Sequence, residues 1–387
     1  MAGEQQLNSP ATGLTGRQRG YSARMNPDGA LTIGVEEEFL LVDTEGQLAT
    51  VGPQMSAELG QTPDGQVEHE LRRCQVESAT EVCHSVAELV EDLHRLRTRL
   101  INRAAQHGVR LLPSGTTVLA LGSEPGFTRD HRYQRMATEF GELADQSLTC
   151  ACHVHVAIPD RESGMVASNA LRPWLPVLLA LSANSPFHAG TDTGYASWRH
   201  LLWTRWPSAG APPHFDSTDD YESRVDGLLQ SGAIVDRGMI YWDVRLSEHV
   251  PTVEVRIADV APDVQGAALV AALVRALIGQ ALDTMDTSLG KGLTQEVLRA
   301  RLWRSARDGL TGACVEPRSG CLVPVWQVVD DLVGRLGSQL RATGDDAFVA
   351  DAIGRLRATG GGAQRQRAAF ARDRRLTDVV DELAGPS

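Results

Sequence analysis

Four short segments of this 387-residue chain each carry two ionic side chains at i and i+2: Glu36 and Glu38, His153 and His155, Asp243 and Arg245, Glu254 and Arg256. In an extended strand that spacing puts both members on one face, about 7 Å apart. Carboxylates held so close on otherwise apolar strands repel one another and are costly to bury, so they call for a compensating cation. Divalent metal and arginine can both supply it. Carboxylates with imidazoles, and no obligatory thiolate, favour Mg²⁺ or Mn²⁺ over structural zinc. A single Glu-x-Glu is commonest on the solvated face of an antiparallel strand. It is the recurrence in four segments that points to a site. Glu37 lies on the apolar side of its own strand and is left out of the set.

Several other chemistries are excluded. Lys291 is the only lysine among 37 Lys and Arg residues, so Schiff-base or lysine-nucleophile mechanisms could rest on it alone. Its surroundings, Leu289-Gly290-Lys291-Gly292-Leu293, lack the second glycine and the hydroxyl of a phosphate loop, and a solvated loop cation is the plainer reading. No Gly-x-Gly-x-x-Gly opens a helix, and no Gly-x-Ser-x-Gly marks a serine nucleophile. Cys150-x-Cys152-His153-x-His155 offers zinc-like residue types, but a strand sends Cys152 and His153 to opposite faces, and closed zinc sites use longer turns.

The elements that must carry these residues can be read from periodicity. Residues 32–42 alternate, with Ile33, Val35, Phe39 and Leu41 on one side and Glu36 and Glu38 on the other, which predicts a strand with an acidic face. Residues 149–158 predict a second polar-faced strand. Residues 240–246 and 252–258 predict two more, adjacent and hairpin-like. Ser85 with Glu88 forms a capping-box signature ahead of an apolar stripe at helical spacing that Gly108 stops, a helix of about six turns. Residues 162–185 and 263–289 read as long apolar helices, and the chain after Gly292 as mainly helical with turns at 309–320 and 360–362. The arginines of the last helices, Arg355 to Arg375, alternate with acids as a solvated face does, with a phosphate-contacting or subunit-contacting role as the alternative.

Composition bounds the setting. With 42% hydrophobic residues the chain can bury a sizeable core, and residues 1–29, polar and aperiodic, read as a disordered tail before one domain spanning 30–387. A net charge of −12 argues against a bulk field for nucleic acid. Six cysteines are far below disulfide-scaffold density, and no charged start leads into an apolar stretch, so a reduced cytoplasmic setting is expected. The most apolar stretch by this reading, 174–183, contains Pro176 and is about half a bilayer-spanning length, so no membrane association is expected.

Six blocks, in order from about residue 30 to the C-terminus, carry a family resemblance: Thr32-Ile33-Gly34-Val35-Glu36-Glu37-Glu38, Gln75-Val76-Glu77-Ser78-Ala79-Thr80-Glu81-Val82-Cys83, His153-Val154-His155-Val156, Ala180-Leu181-Ser182-Ala183-Asn184-Ser185-Pro186, Gly190-Thr191-Asp192-Thr193-Gly194-Tyr195-Ala196-Ser197-Trp198-Arg199, and Trp242-Asp243-Val244-Arg245 followed by Thr252-Val253-Glu254-Val255-Arg256. They resemble the carboxylate–amine ligases related to glutamate–cysteine ligase.

The resemblance implies an α+β, glutamine-synthetase-like fold, a curved and mostly antiparallel sheet forming a funnel backed by helices. It implies ATP- and Mg²⁺-dependent amide formation through an acyl phosphate, with glutamate or a similar acid as donor and cysteine or another amine as acceptor. Carried over by position, Glu36, Glu38, Glu77 and Glu254 look like metal ligands, with Glu70 and His153 in addition. Arg256 and Arg245, with Glu254, would form the catalytic group. Arg199 would hold a substrate carboxylate and His155 would contact substrate. Ser78 and Cys152 depart from the residues usual in the family, which bears on the acceptor pocket. Relatives imply a homodimer or higher homo-oligomer. ATP-grasp ligases, which bind phosphates through lysines, fit this chain poorly. A guanidino-kinase-like phosphotransferase and a non-catalytic ATP- or metal-binding relative are the alternatives, distinguished by a stable phosphorylated product and by ATP binding without turnover.

Overall fold

The alternation of residues 32–42 becomes a ten-residue strand, β1 (Ile33–Val42), whose odd-numbered side chains are buried on one side and whose Glu36 and Glu38 project to the other. The computed structural model describes residues 30–62 and 65–385; the expected tail, residues 1–29, lies outside them. Around β1 are β2 (Gln61–Thr62), β3 (Gly65–His69), β4 (Gln75–Ala79), β5 (Arg110–Leu112) and β6 (Ala151–Ala157). The remaining strands are β7 (Phe187–His188), β8 (Thr191–Asp192), β9 (Val244–Leu246), β10 (Thr252–Asp259), β11 (Ala313–Val315) and β12 (Leu322–Pro324). The main sheet runs β2-β3-β4-β1-β6-β10-β9, with β5 also paired to β1, and its pairings are antiparallel. This is the expected α+β architecture.

Helices flank the sheet. They are α1 (Gly52–Leu59), α2 (Val86–Gln106), α3 (His131–Phe140), α4 (Glu142–Asp145), α5 (Arg161–Leu171), α6 (Leu175–Ser182), α7 (Trp198–Trp203), α8 (Thr218–Gln230), α9 (Val264–Thr284), α10 (Gln295–Asp308), α11 (Val325–Thr343), α12 (Asp346–Thr359), α13 (Gly362–Asp373) and α14 (Leu376–Ala384). α2 starts at the expected N-cap, where Ser85 Oγ accepts the Glu88 N–H at 3.1 Å, but the Glu88 carboxylate reaches one residue beyond the capping-box position and accepts the His84 N–H at 2.7 Å. Its apolar stripe, Val86, Leu89, Leu93, Leu96 and Leu100, is buried, each such side chain contributing about 1.5–3 kcal/mol. α2 and α9 pack on β1.

Four expectations change in detail. The single helix expected over 162–185 is two, α5 and α6, because Pro173 and Pro176 interrupt the backbone ladder and leave a 3-10 turn at Arg172–Trp174. The strand expected from residue 240 starts only at Val244, since Arg237–Met239 is a 3-10 turn. A small hairpin, β11 with β12, occupies part of the 309–320 turn region and the residues after it. Among the described residues the helix long and apolar enough to cross a membrane is α9 rather than 174–183, and 78% of its most apolar window is buried inside the protein, as in a core helix. The C-terminal arginines meet acids: Arg365 with Asp263, Arg367 with Asp192, Arg372 with Glu382, Arg375 with Asp378.

Candidate active site

Antiparallel register brings the ionic pairs together except for Asp243, which precedes β9 and stands outside the register. Glu36 stands opposite His153, and Glu38 opposite Glu77, while Glu254 stands opposite His155 on one side and Arg245 on the other. Directly opposed residues have Cβ atoms about 4.5–5.5 Å apart, so side chains separated widely in sequence become neighbours on one face. Glu70 follows the end of β3 and joins the set beside Glu77.

Three overlapping groups have ligand atoms within 4.8 Å of one another: Glu36, His155 and Glu254; Glu36, Glu77 and His153; Glu38, Glu70 and Glu77. Glu36 and Glu77 are shared, so the groups form one continuous acidic track. His153 Nδ1 lies 3.1 Å from Glu36, and its buried Nε2 has no hydrogen-bond partner among the described residues. His155 Nε2 lies 3.3 Å from Glu36, and its Nδ1 meets Thr252 Oγ1 at 2.9 Å.

The electrostatics describe a site short of positive charge. Burial, then the nearby Glu36, Glu70 and Glu38, push Glu77 well above the usual carboxylate range. Burial and Glu70 raise Glu38 to about 7. Burial would raise Glu36 as well, but His155 and His153 outweigh it and hold it well below. His153 is pushed down to about 4 by burial and by Arg256. Clustered acids with raised affinity for protons, beside a buried imidazole nitrogen that lies 3.7 Å from Glu38 without a hydrogen bond, fit divalent cations bound through oxygen and nitrogen.

At the other end of the track the balance reverses. Burial would raise Glu254, but the guanidiniums of Arg245 and Arg256 hold it well below the carboxylate range. Arg245 reaches it with Nε at 2.7 Å and Nη2 at 3.0 Å, and Arg256 Nη1 donates to the same carboxylate.

The acids and arginines open onto a cavity of about 220 Å³, whose wall includes Glu36, Glu38, Glu70, Glu77, His153, Arg245 and Arg256. Its other side comes from α3, α7 and the 237–241 turn, with Arg132, Tyr133, Trp203, Trp206 and Tyr241. These aromatics and Arg132 are not legible as site residues in the sequence, because nothing in their spacing distinguishes them from core residues. Arg132 sits at the rim, paired bidentately with Asp236 at 2.7 and 3.1 Å.

Glu254, His155 and Arg199 are not on the cavity wall. Glu254 and His155 lie just behind it and touch residues that are. Arg199, expected to hold a substrate carboxylate, is placed differently: it is 2% exposed, and its guanidinium faces the backbone of β10 and the Asp259 carboxylate. Glu37 points to the helix side, where Arg97 of α2 binds both its oxygens. Ser78 and Cys152, both opposite Glu37 in register, share that side. A change at either position therefore acts on the layer behind the sheet rather than on the cavity.

Comparison with known proteins gives one answer. Residues 32–382 match the family model described as glutamate–cysteine ligase family 2. A protein of Rhodococcus jostii with the provisional name glutamate–cysteine ligase 2-1 is 50% identical over 354 residues, covering 91% of this chain and 95% of that one. A similarly named protein of Saccharopolyspora erythraea is 45% identical over 355 residues, covering 91% and 94%. Among solved structures, the glutamate–cysteine ligase of Francisella tularensis in complex with AMP superposes with a TM-score of 0.66 at 13% identity, covering 92% of this chain and 87% of that one. A bifunctional glutathione synthetase from Pasteurella multocida gives 0.67 at 14% identity, covering 92% and 52%. At those identities the two structures speak for the fold.

Proposed function

Because the chain belongs to glutamate–cysteine ligase family 2, we propose that it is an ATP-dependent carboxylate–amine ligase whose donor is glutamate or a similar acid and whose acceptor is cysteine or another small amine. In this reaction a carboxylate oxygen attacks the γ-phosphorus of ATP and ADP leaves. The amine then attacks the acyl carbon and expels phosphate, giving an amide.

The observation that carries the reading is the joining of three carboxylate and imidazole groups to two arginines on one sheet face. Glu36, Glu38, Glu70, Glu77, His153 and Glu254 would hold Mg²⁺ or Mn²⁺, with His155 beside Glu36 and Glu254. Bound there, the ions would neutralise the phosphate oxygens of the transferred group. Arg256, on the cavity wall, is the cation aimed at those oxygens, and Arg245 keeps Glu254 ionised beneath it. Arg132 at the rim is the arginine with access to a substrate carboxylate, at the cost of its pairing with Asp236. The aromatic wall of Tyr133, Trp203, Trp206 and Tyr241 keeps water from the acyl phosphate.

The reading is tested by ADP release with ATP and Mg²⁺ across a matrix of acids and amines, followed by product mass. An amide that requires both partners supports it. A stable phosphorylated product, or ATP binding without turnover, contradicts it.

A further inference from the structure

β10 is not a regular strand. Val255 is opposite Val154 and Ala258 is opposite Cys152, so Arg256 and Ile257 together face the single residue His153. Two residues against one is a β-bulge, a device that bends a strand and re-aims a side chain. Here the re-aimed side chain is Arg256, which reaches the cavity wall while its backbone N–H donates to the Asp243 carbonyl at 2.8 Å.

Arg199 meets that bulge from behind. Its Nη2 donates to the Arg256 carbonyl at 3.3 Å and its Nη1 to the Ile257 carbonyl at 3.5 Å. Nη1 also lies 3.9 Å from Asp259, the last residue of the same strand. Asp259 is in turn fixed by the Asn184 N–H at 2.8 Å, Ser185 Oγ at 2.6 Å and Ser197 Oγ at 2.8 Å. Ser197 caps α7, the helix that carries both Arg199 and Trp203. The Arg199 and Arg256 guanidiniums lie 5.7 and 5.6 Å from the Trp203 ring centroid. The Arg199 Nε finds no hydrogen-bond partner among the described residues and is shut off from solvent.

We propose that Arg199 is a positioning residue rather than a substrate clamp: anchored by Asp259, it holds the carbonyls of the Arg256–Ile257 bulge and so aims Arg256 at the transferred group. The inference rests on the ligase reading of the cavity. A guanidinium suits the task because its planar fork can serve two carbonyls and a carboxylate at once. Misplacing a catalytic group by about 1 Å can cost on the order of 10²-fold in rate. Removing Arg199 therefore acts through Arg256.

The test compares Arg199→Gln, Arg199→Lys, Asp259→Asn, Arg256→Lys and the Arg199→Gln/Arg256→Lys double variant with the wild type in ADP formation. Arg199→Gln and Asp259→Asn are expected to lower kcat at least about tenfold with KM for the acid changed less than about threefold, and Arg199→Lys to recover part of the loss. The double variant is expected to lose much less than the product of the single losses. A KM raised tens-fold at retained kcat, or fully multiplicative losses, overturns the proposal. Hydrogen exchange over residues 252–259 reads the bulge without activity: faster exchange at the Arg256 amide in folded Arg199→Gln or Asp259→Asn supports the proposal, and wild-type exchange in both overturns it. Should the wild type form no amide, the ligase reading fails on its own and the exchange measurement still decides the role of Arg199.

Discussion

Arg245 and Arg256 converge on one carboxylate, Glu254, the first from the opposite residue of the neighbouring strand and the second from two positions along its own. Glu254 is thus an ionised acid between two guanidiniums at one end of an acidic track, close to Glu36 and His155. Replacing it with glutamine keeps its shape and removes its charge, which releases both arginines and weakens the track's hold on a cation. Glu254→Gln is expected to lower ADP formation at least about tenfold and to raise the Mg²⁺ needed for half-maximal rate. Wild-type ADP formation at low Mg²⁺ would show that the residue has neither role.

The layer behind the sheet is expected to carry stability. Arg97 donates to both oxygens of Glu37 and to the Ala261 carbonyl, tying α2 to β1 and to the loop before α9. Arg97→Met leaves a carboxylate that is fully buried and unpaired, with an expected loss of about 3–5 kcal/mol in denaturant melts. The Glu37→Met/Arg97→Met double variant is expected to recover most of that loss. Equal losses in the two variants would mean that the pair is not what fastens the layer.

Gly52 is another such point. A Cβ there would sit 2.2 Å from the Gln75 carbonyl oxygen and 2.8 Å from that of Arg73, and neither backbone atom can move without disturbing the start of β4. Gly52→Ala is expected to cost about 2 kcal/mol in chemical denaturation, and to raise the Mg²⁺ needed for half-maximal rate through Glu77 on the same strand. An unchanged melt would mean that β4 can shift freely.

Acid should destabilise the protein through buried imidazole. Burial, then Arg199, pushes His200 down to about 3 from an ordinary 6.5. Below about 6.5 the unfolded chain takes up this proton and the folded one does not, so the contribution is complete above 6.5 and is lost as pH falls toward 3. At pH 5 the expected loss relative to pH 8 is up to about 2 kcal/mol, which His200→Gln should abolish. His153, lowered to about 4, acts in the same direction. Identical acid profiles for wild type and His200→Gln would refute the assignment.

What the sequence made legible follows from the range of the physics involved. Strand alternation is local, so Glu36, Glu38, His153, His155, Glu254 and Arg256 could be placed on polar faces before any fold was known. Glu70 and Glu77 came only from family resemblance, because β3 and β4 are too short to show a period of two. Arg97 is the partner of Glu37 from 60 residues away, a contact between elements that no spacing rule reaches. The same holds for the bulge at Arg256 and Ile257, which exists only relative to His153 on β6. Tyr133, Trp203, Trp206 and Tyr241 line the cavity from three segments whose meeting depends on the completed fold.

The central claim, amide formation through an acyl phosphate at this site, is tested most directly by oxygen transfer. Glutamate carrying oxygen-18 in its side-chain carboxylate is incubated with ATP, Mg²⁺, cysteine and the enzyme, and the released phosphate is weighed. One labelled oxygen per phosphate, appearing in step with the amide, is the predicted result. Amide formed with unlabelled phosphate, or label held in a stable phosphorylated acid, would contradict the account.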